Sequence, residues 1–159
     1  MERTRVWEAW IGAEFRALYF ADLDSAFTRR QQWATGITLL GSSGAVLTAL
    51  GNLPPQLAWL KVAAPLLLAA VSIYSVVAQN QRRAAEAGQL HVRWSKLATR
   101  FEALWGDMYA TDAPERLSKA LEEEAEVSGL GANFPYDEKR LTRWFDLVIQ
   151  QHQHRLQAA

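Results

Sequence analysis

Charged residues occur along most of this chain but are missing from its middle. None lies between Gln31 and Leu60, and after Lys61 the chain is uncharged again from Val62 until Arg82. A helix of about 20 apolar residues crosses a bilayer core of roughly 30 Å. The pattern therefore predicts an all-α membrane protein with two spans, at about 33–53 and 57–79.

The two spans are predicted to form a hairpin within residues 31–80. Asn52, Pro54 and Pro55 mark a tight turn, since proline has no amide hydrogen and restricts the residue before it. Positive residues remain on the cytoplasmic side of a membrane, so both termini are expected in the cytoplasm. Four arginines flank the hairpin and are expected at lipid headgroups: Arg29, Arg30, Arg82 and Arg83. The alternative is a water-soluble helical domain that buries the hairpin.

Helical periodicity continues on both sides of the hairpin. Residues 1–30 predict an amphipathic helix, which either packs on later helices or lies along the membrane surface. Residues 81–159 predict a cytoplasmic helical region. Its helices are expected at about 80–109, 113–128 and 137–157, the first of them continuing the second span without a break.

The helix at about 80–109 carries a seam of large apolar residues spaced alternately by four and three. The seam residues are Leu90, Trp94, Leu97, Phe101, Leu104 and Met108. Such a heptad pattern packs against a partner helix, here either the N-terminal helix or another protomer. The next helix is acidic, with Glu122, Glu123, Glu124 and Glu126, and is expected to present a solvated face.

One face of the first predicted span is small and polar. At 100° per residue this face gathers Thr38, Gly41, Ser42, Ala45, Thr48, Ala49 and Asn52. Small residues allow close helix packing, and hydroxyls can also line a water-filled path. Both interpretations stay open from the sequence. Two helices cannot enclose a channel, so a pore would require several chains.

The composition limits the binding and catalytic functions that we expect of the chain. The chain has no cysteine and equal numbers of basic and acidic residues, 17 of each, so no duplex DNA binding is expected. No catalytic motif, cofactor site or metal site is predicted, and an enzyme is not expected. His152 and His154 are interpreted as parts of a solvated tail.

Three basic residues share a face of the predicted 80–109 helix. Arg93, Lys96 and Arg100 follow one another at i, i+3 and i+7, which makes them a candidate contact for an anion or nucleotide. Neutralisation by Glu86, Glu102 or the acidic helix is the alternative.

The order of these parts resembles the SLATT family. The shared features are an N-terminal helix, Arg29-Arg30, a two-span hairpin with a short turn, a long arginine-bearing helix, and an ending with Trp144 in LTRWFDLVIQQH after a loop with Asn133 and Pro135. The resemblance covers nearly the whole chain and rests on layout and hydropathy.

SLATT proteins are regarded as membrane-disrupting or pore-forming effectors of bacterial antiphage systems. The resemblance implies a homo-oligomeric ion channel, for example a tetramer, in the bacterial inner membrane. Its opening would follow a nucleotide or oligonucleotide signal, with a nucleotidyltransferase as partner, or release from a partner protein. The alternative function is a non-conducting membrane anchor or scaffold, which recruits a cytosolic partner through the seam at 90–108.

Overall fold

The computed structural model describes residues 3–43, 48, 51–52 and 54–158, and every regular element in these residues is helical. This confirms the all-α fold class. The elements are α1 (Arg3–Gly41), a 3-10 turn (Pro55–Leu57), α2 (Leu60–Ala78), α3 (Asn80–Gly106), α4 (Ala113–Gly131) and α5 (Glu138–Ala158).

The chain divides into two compact units. Residues 1–23 and 86–159 form the first, called here the helical core unit, and residues 24–85 form the second, called the apolar unit. Both boundaries fall inside helices, so α1 and α3 each contribute to both units.

The predicted seam of α3 lies inside the helical core unit. All six seam residues are buried, and Trp94, Leu97, Phe101 and Leu104 are almost completely so. The apolar face at the start of α1 contributes Val6 to the same core. The seam therefore packs within its own chain, and the N-terminal helix shares its core.

Local sequence explains how α4 and α5 begin. Pro114 lies in the first turn of α4, where its missing N–H would have had no partner in any case. Asp137 precedes α5, and its carboxylate accepts a bond from the Arg140 amide at 3.2 Å. Helix α4 continues to Gly131, three residues past the predicted end. An added Cβ at Gly131 would lie 3.1 Å from Phe20 Cζ, so glycine permits this close approach.

In the apolar unit, α1 ends at Gly41, well before the predicted end of the first span near residue 53. Ser42 and Ser43 form a turn, and the Ser43 amide bonds Leu40 O at 3.1 Å. The prediction of one continuous helix over 33–53 is therefore wrong at this point. Glycine and serine have low helix propensity, so the Gly41-Ser42-Ser43 sequence weakens the helix.

The prediction that the second span continues directly into the next helix is also wrong. Gln79 separates α2 from α3 and has φ 46° and ψ 37°, a left-handed conformation that costs an L-residue about 1–2 kcal/mol. The sequence contains no glycine or proline at this position, so no local signal indicated the break.

One helical stretch of the described residues, Pro55–Gly106, is long and apolar enough to cross a membrane by length and composition. Its apolar part is α2. The other predicted span includes residues 44–47, 49–50 and 53, which lie outside the described residues.

Candidate functional site

Helix α2 exposes large apolar side chains over most of its surface, apart from a half-buried side that includes Leu68 and Ser75. No residue of α2 is buried, and Leu67 and Val76 retain 67% and 76% of their exposure. The other large exposed side chains of α2 are Val62, Leu66, Ile73, Tyr74 and Val77. Contiguous apolar surface of this kind marks contact with a membrane or another protein. The burial of the hairpin that the water-soluble alternative requires is not seen for α2 in the single chain.

The last turns of α1 lie antiparallel to α2. The Ser75 hydroxyl donates to Gln31 Oε1 at 3.4 Å, while ten residues later in α1 Gly41 approaches Leu68. A Cβ at Gly41 would lie only 2.1 Å from Leu68 Cδ2, so no larger residue fits without moving Leu68. At this position the small residue serves helix packing.

The residues of the small polar face predicted for the first span differ in burial. Two members are half-buried, Thr38 and Gly41. Three members are exposed, Ser42, Thr48 and Asn52. Two lie outside the described residues, Ala45 and Ala49. Gly41 therefore packs against α2, and the role of the other positions stays a prediction.

Two hydroxyl groups in the apolar unit bond to carbonyl groups of their own helices. Thr38 Oγ1 donates to Ala34 O at 2.9 Å, and Ser72 Oγ donates to Leu68 O at 2.8 Å. Internal bonding of this kind lets polar side chains enter an apolar environment without an unsatisfied donor.

Lys61 stands in the first turn of α2. Its ammonium Nζ donates to the carbonyl oxygen of Gly51 at 3.0 Å, across the predicted turn. The 3-10 turn Pro55–Leu57 between them agrees with the expected effect of the two prolines.

The basic face predicted for anion binding is largely neutralised in the structure. Arg93 Nη1 lies 3.3 Å from Glu126 Oε1, and Arg100 forms an ion pair with Glu123. Lys96 is exposed and has no hydrogen-bond or ion-pair partner among the described residues. A ligand at this face would have to displace two carboxylates.

Glu122 and Glu126 of the acidic helix α4 are exposed, as expected for a solvated face, and the helix also forms ion pairs with neighbouring arginines. A third arginine, Arg16 of α1, pairs with Glu124 at 2.9 Å, and its guanidinium lies 4.9 Å from the centre of the Trp94 ring. The glutamates of α4 thus form ion pairs with arginines of both α1 and α3.

A shallow cleft of about 280 Å³ lies between α3 and α4, lined in part by Arg100, Arg116 and Lys119. Arg116 lies 3.6 Å from Asp107, and Lys119 pairs with Glu115 at 2.7 Å. The hydrogen bond and charge of Lys119 lower the pKa of Glu115, and Glu115 in turn raises the pKa of Lys119. The cations of this cleft already have carboxylate partners.

Sequence reasoning missed a buried histidine. His152 is 4% exposed, and its Nε2–H donates to Glu14 Oε2 at 2.6 Å, which contradicts the solvated-tail interpretation. The rings of Trp7 and Trp10 meet the imidazole edge-on at 5.2 and 4.6 Å. The available signal was the spacing of Trp7, Trp10 and Glu14 at i, i+3 and i+7, which places all three on one face of α1.

The four arginines assigned to lipid headgroups are all exposed. The guanidinium of Arg30 lies 5.9 Å from the Phe27 ring centre, a cation–π distance. Their contact with lipid stays a prediction.

Within the described residues, no three histidine, aspartate or glutamate side chains are grouped closely enough to hold a metal ion. No known protein family, curated protein or solved structure matches this chain. The functional argument therefore depends on the geometry of the chain itself.

Proposed function

We propose that this chain is a membrane effector whose subunits assemble and form an ion-conducting pore or disrupt the membrane. The observation that carries the proposal is the uncovered apolar surface of α2. Burying apolar surface contributes about 25 cal/mol per Å², so a helix without a single buried residue gains its stability from lipid or from neighbouring subunits.

The polar positions near the end of α1 supply the conducting surface in this proposal. Ser42, Thr48 and Asn52 are exposed in the single chain, so they can face a shared water-filled path when several chains assemble. Gly41 keeps α1 close to α2 and gives each subunit a defined shape.

The biological setting of the proposal follows the resemblance to SLATT proteins. The effector acts in the bacterial inner membrane with both termini in the cytoplasm, where its opening kills or arrests an infected cell. The trigger is a nucleotide or oligonucleotide made by a nucleotidyltransferase, or release from a partner protein. A nucleotide at Arg93, Lys96 and Arg100 would replace Glu126 and Glu123, which offers a way to convert binding into a change of helix packing.

The scaffold alternative has less support. It requires the seam at 90–108 to be free for a cytosolic partner, and those side chains are buried in the chain's own helical core unit. Recruitment through this seam would require the core of that unit to open.

Single-channel recording in planar bilayers tests the pore. Wild-type full-length protein is expected to give discrete currents, and Ser42→Leu combined with Thr48→Leu is expected to reduce them strongly by removing hydroxyls from the path. Leu40→Val, a change at an exposed apolar position near the end of α1, serves as the matched control and should conduct normally. Inserted wild-type protein without current would contradict the pore, and unchanged current in the double variant would contradict the assigned lining.

A further inference from the structure

A polar groove lies in the apolar unit where α2 ends and α3 begins. Its volume is about 480 Å³, and its lining includes Gln31, Ser75, Gln79, Asn80, Gln81 and Arg82. No aspartate or glutamate is among these residues. The groove thus gathers amide, hydroxyl and guanidinium groups, which can all donate hydrogen bonds, next to an apolar helix.

Helix α3 begins at this groove. The left-handed Gln79 interrupts the helical path, so the first residues of α3 form a true helix N-terminus within an otherwise nearly continuous pair of helices. The amide groups of a first helical turn lack partners inside the helix. Because α2 ends one residue earlier, its negative end offsets the dipole of α3, so it is the free amide groups that favour an anion at the groove.

An independent observation comes from Asn80. Its side chain is 2% exposed, and among the residues that the structure describes its amide nitrogen Nδ2 has no hydrogen-bond partner. A buried donor without an acceptor costs about 1–3 kcal/mol. Asn80 helps to line the groove, and because the terminal amide torsion of asparagine is soft, its amide can rotate to donate to an acceptor there.

We infer that this groove is a binding site for a phosphate oxyanion. An oxyanion would give the Asn80 amide its missing acceptor, and it would meet the charge of Arg82 and the first amide groups of α3. Phosphate fits these donors because it accepts several bonds at once and pairs well with guanidinium.

The phosphate has two candidate sources with the same chemistry. Ser75 belongs to the last turn of α2, so in a membrane the groove lies at the height of lipid headgroups, where a phospholipid supplies the group. This source rests on the membrane placement in the proposed function. A free phosphate group reaching the groove from water does not depend on that placement.

Binding by the full-length protein in a neutral detergent tests the site. One arm titrates inorganic phosphate by calorimetry, and the other titrates phosphatidylglycerol by native mass spectrometry, with diacylglycerol as the matched lipid that lacks phosphate. Binding of the lipid alone assigns the headgroup, and binding of inorganic phosphate assigns a free phosphate group. The absence of binding in both arms overturns the site.

Two variants connect binding to the groove. Asn80→Asp replaces the donor by a negative charge and should weaken phosphate binding about tenfold or more. Asn133→Asp adds the same charge in an exposed loop outside the groove and should bind like the wild type. Asn80→Leu removes the donor without adding charge, which keeps the test valid if the acidic variant does not fold. Wild-type affinity in both Asn80 variants overturns the inference, and the result does not depend on whether the chain conducts.

Discussion

The helical core unit and the apolar unit arrange similar side chains in opposite ways. In the first, α3 turns Trp94 and Phe101 inward, to 1% and 0% exposure. In the second, α2 leaves Leu67 exposed and buries nothing. Apolar content therefore does not distinguish a core helix from a membrane-type helix. The distinction lies in periodicity, because α3 places charged residues between its seam positions and α2 is apolar all round.

Several polar groups show a related contrast, although Ser75 of the apolar unit also bonds across to Gln31 of α1. In the helical core unit they bond across helices, as Glu14 does with His152 and Arg16 with Glu124. In the apolar unit the hydroxyls of Thr38 and Ser72 return to carbonyl groups of their own helices. Cross-helix pairs fix one tertiary arrangement, whereas self-bonded hydroxyls leave the outer surface apolar.

Removal of a large side chain from each unit should give the largest difference in stability between the two units. Trp94→Ala leaves a cavity in the buried core, so the free energy of unfolding should fall by about 3–5 kcal/mol. Leu67→Ala removes a side chain that touches little of the chain and should change it by less than about 1 kcal/mol. Denaturant unfolding in neutral detergent, followed by circular dichroism, measures both. A loss at Leu67 as large as that at Trp94 would mean that α2 is covered.

A charge placed on each surface tests what surrounds it. Leu67→Lys should oppose membrane insertion by about 2.5–3.5 kcal/mol, the cost of lysine near the middle of a membrane helix. Val92→Lys puts the same charge on an exposed position of α3 and should leave the membrane-bound fraction unchanged. Fractionation of cells after alkaline extraction gives that fraction. Equal behaviour of the two variants would remove the distinction between the units.

Close packing inside the apolar unit can be tested at two glycines of α1. Gly41→Ala should destabilise the α1–α2 contact by about 1–3 kcal/mol because Leu68 must move. Gly36→Ala has open space around its new methyl group and should be neutral or slightly stabilising. Thermal unfolding in detergent compares them. Adding Leu68→Ala to Gly41→Ala should recover part of the loss, and no recovery would argue against this contact.

The smallest expected effect concerns Tyr19 in the helical core unit. Burial raises the pKa of its phenol above the ordinary value of 10.0, and the hydroxyl donates to Pro135 O at 2.9 Å. The stabilisation is complete below the ordinary pKa and disappears as the pH rises through the folded pKa. Tyr19→Phe should cost about 1 kcal/mol at pH 8, and the gap from wild type should narrow above pH 10. A gap that stays constant with pH would show that this phenol does not titrate with folding.

Periodicity was enough to predict the helices that have a clear apolar face. It indicated the α3 seam, and Pro114 indicated the start of α4. It did not reveal the left-handed Gln79, since glutamine gives no turn signal. The burial of His152 was also missed, because its partner Glu14 comes from the opposite end of the sequence and only the tertiary fold joins them. Likewise, no residue pattern could decide which arginine would pair with which glutamate of α4.

The helical core unit is discontinuous, and this affects the order of events during synthesis. Glu14 and His152 are separated by 138 positions, so their bond can form only when translation is almost finished. Residues 24–85 leave the ribosome long before α5, and under the proposed function they would enter the membrane first. Until then the tryptophans at the start of α1 have no complete core to enter. Contacts between such distant residues slow folding, and a nascent chain in this state is a natural client of chaperones.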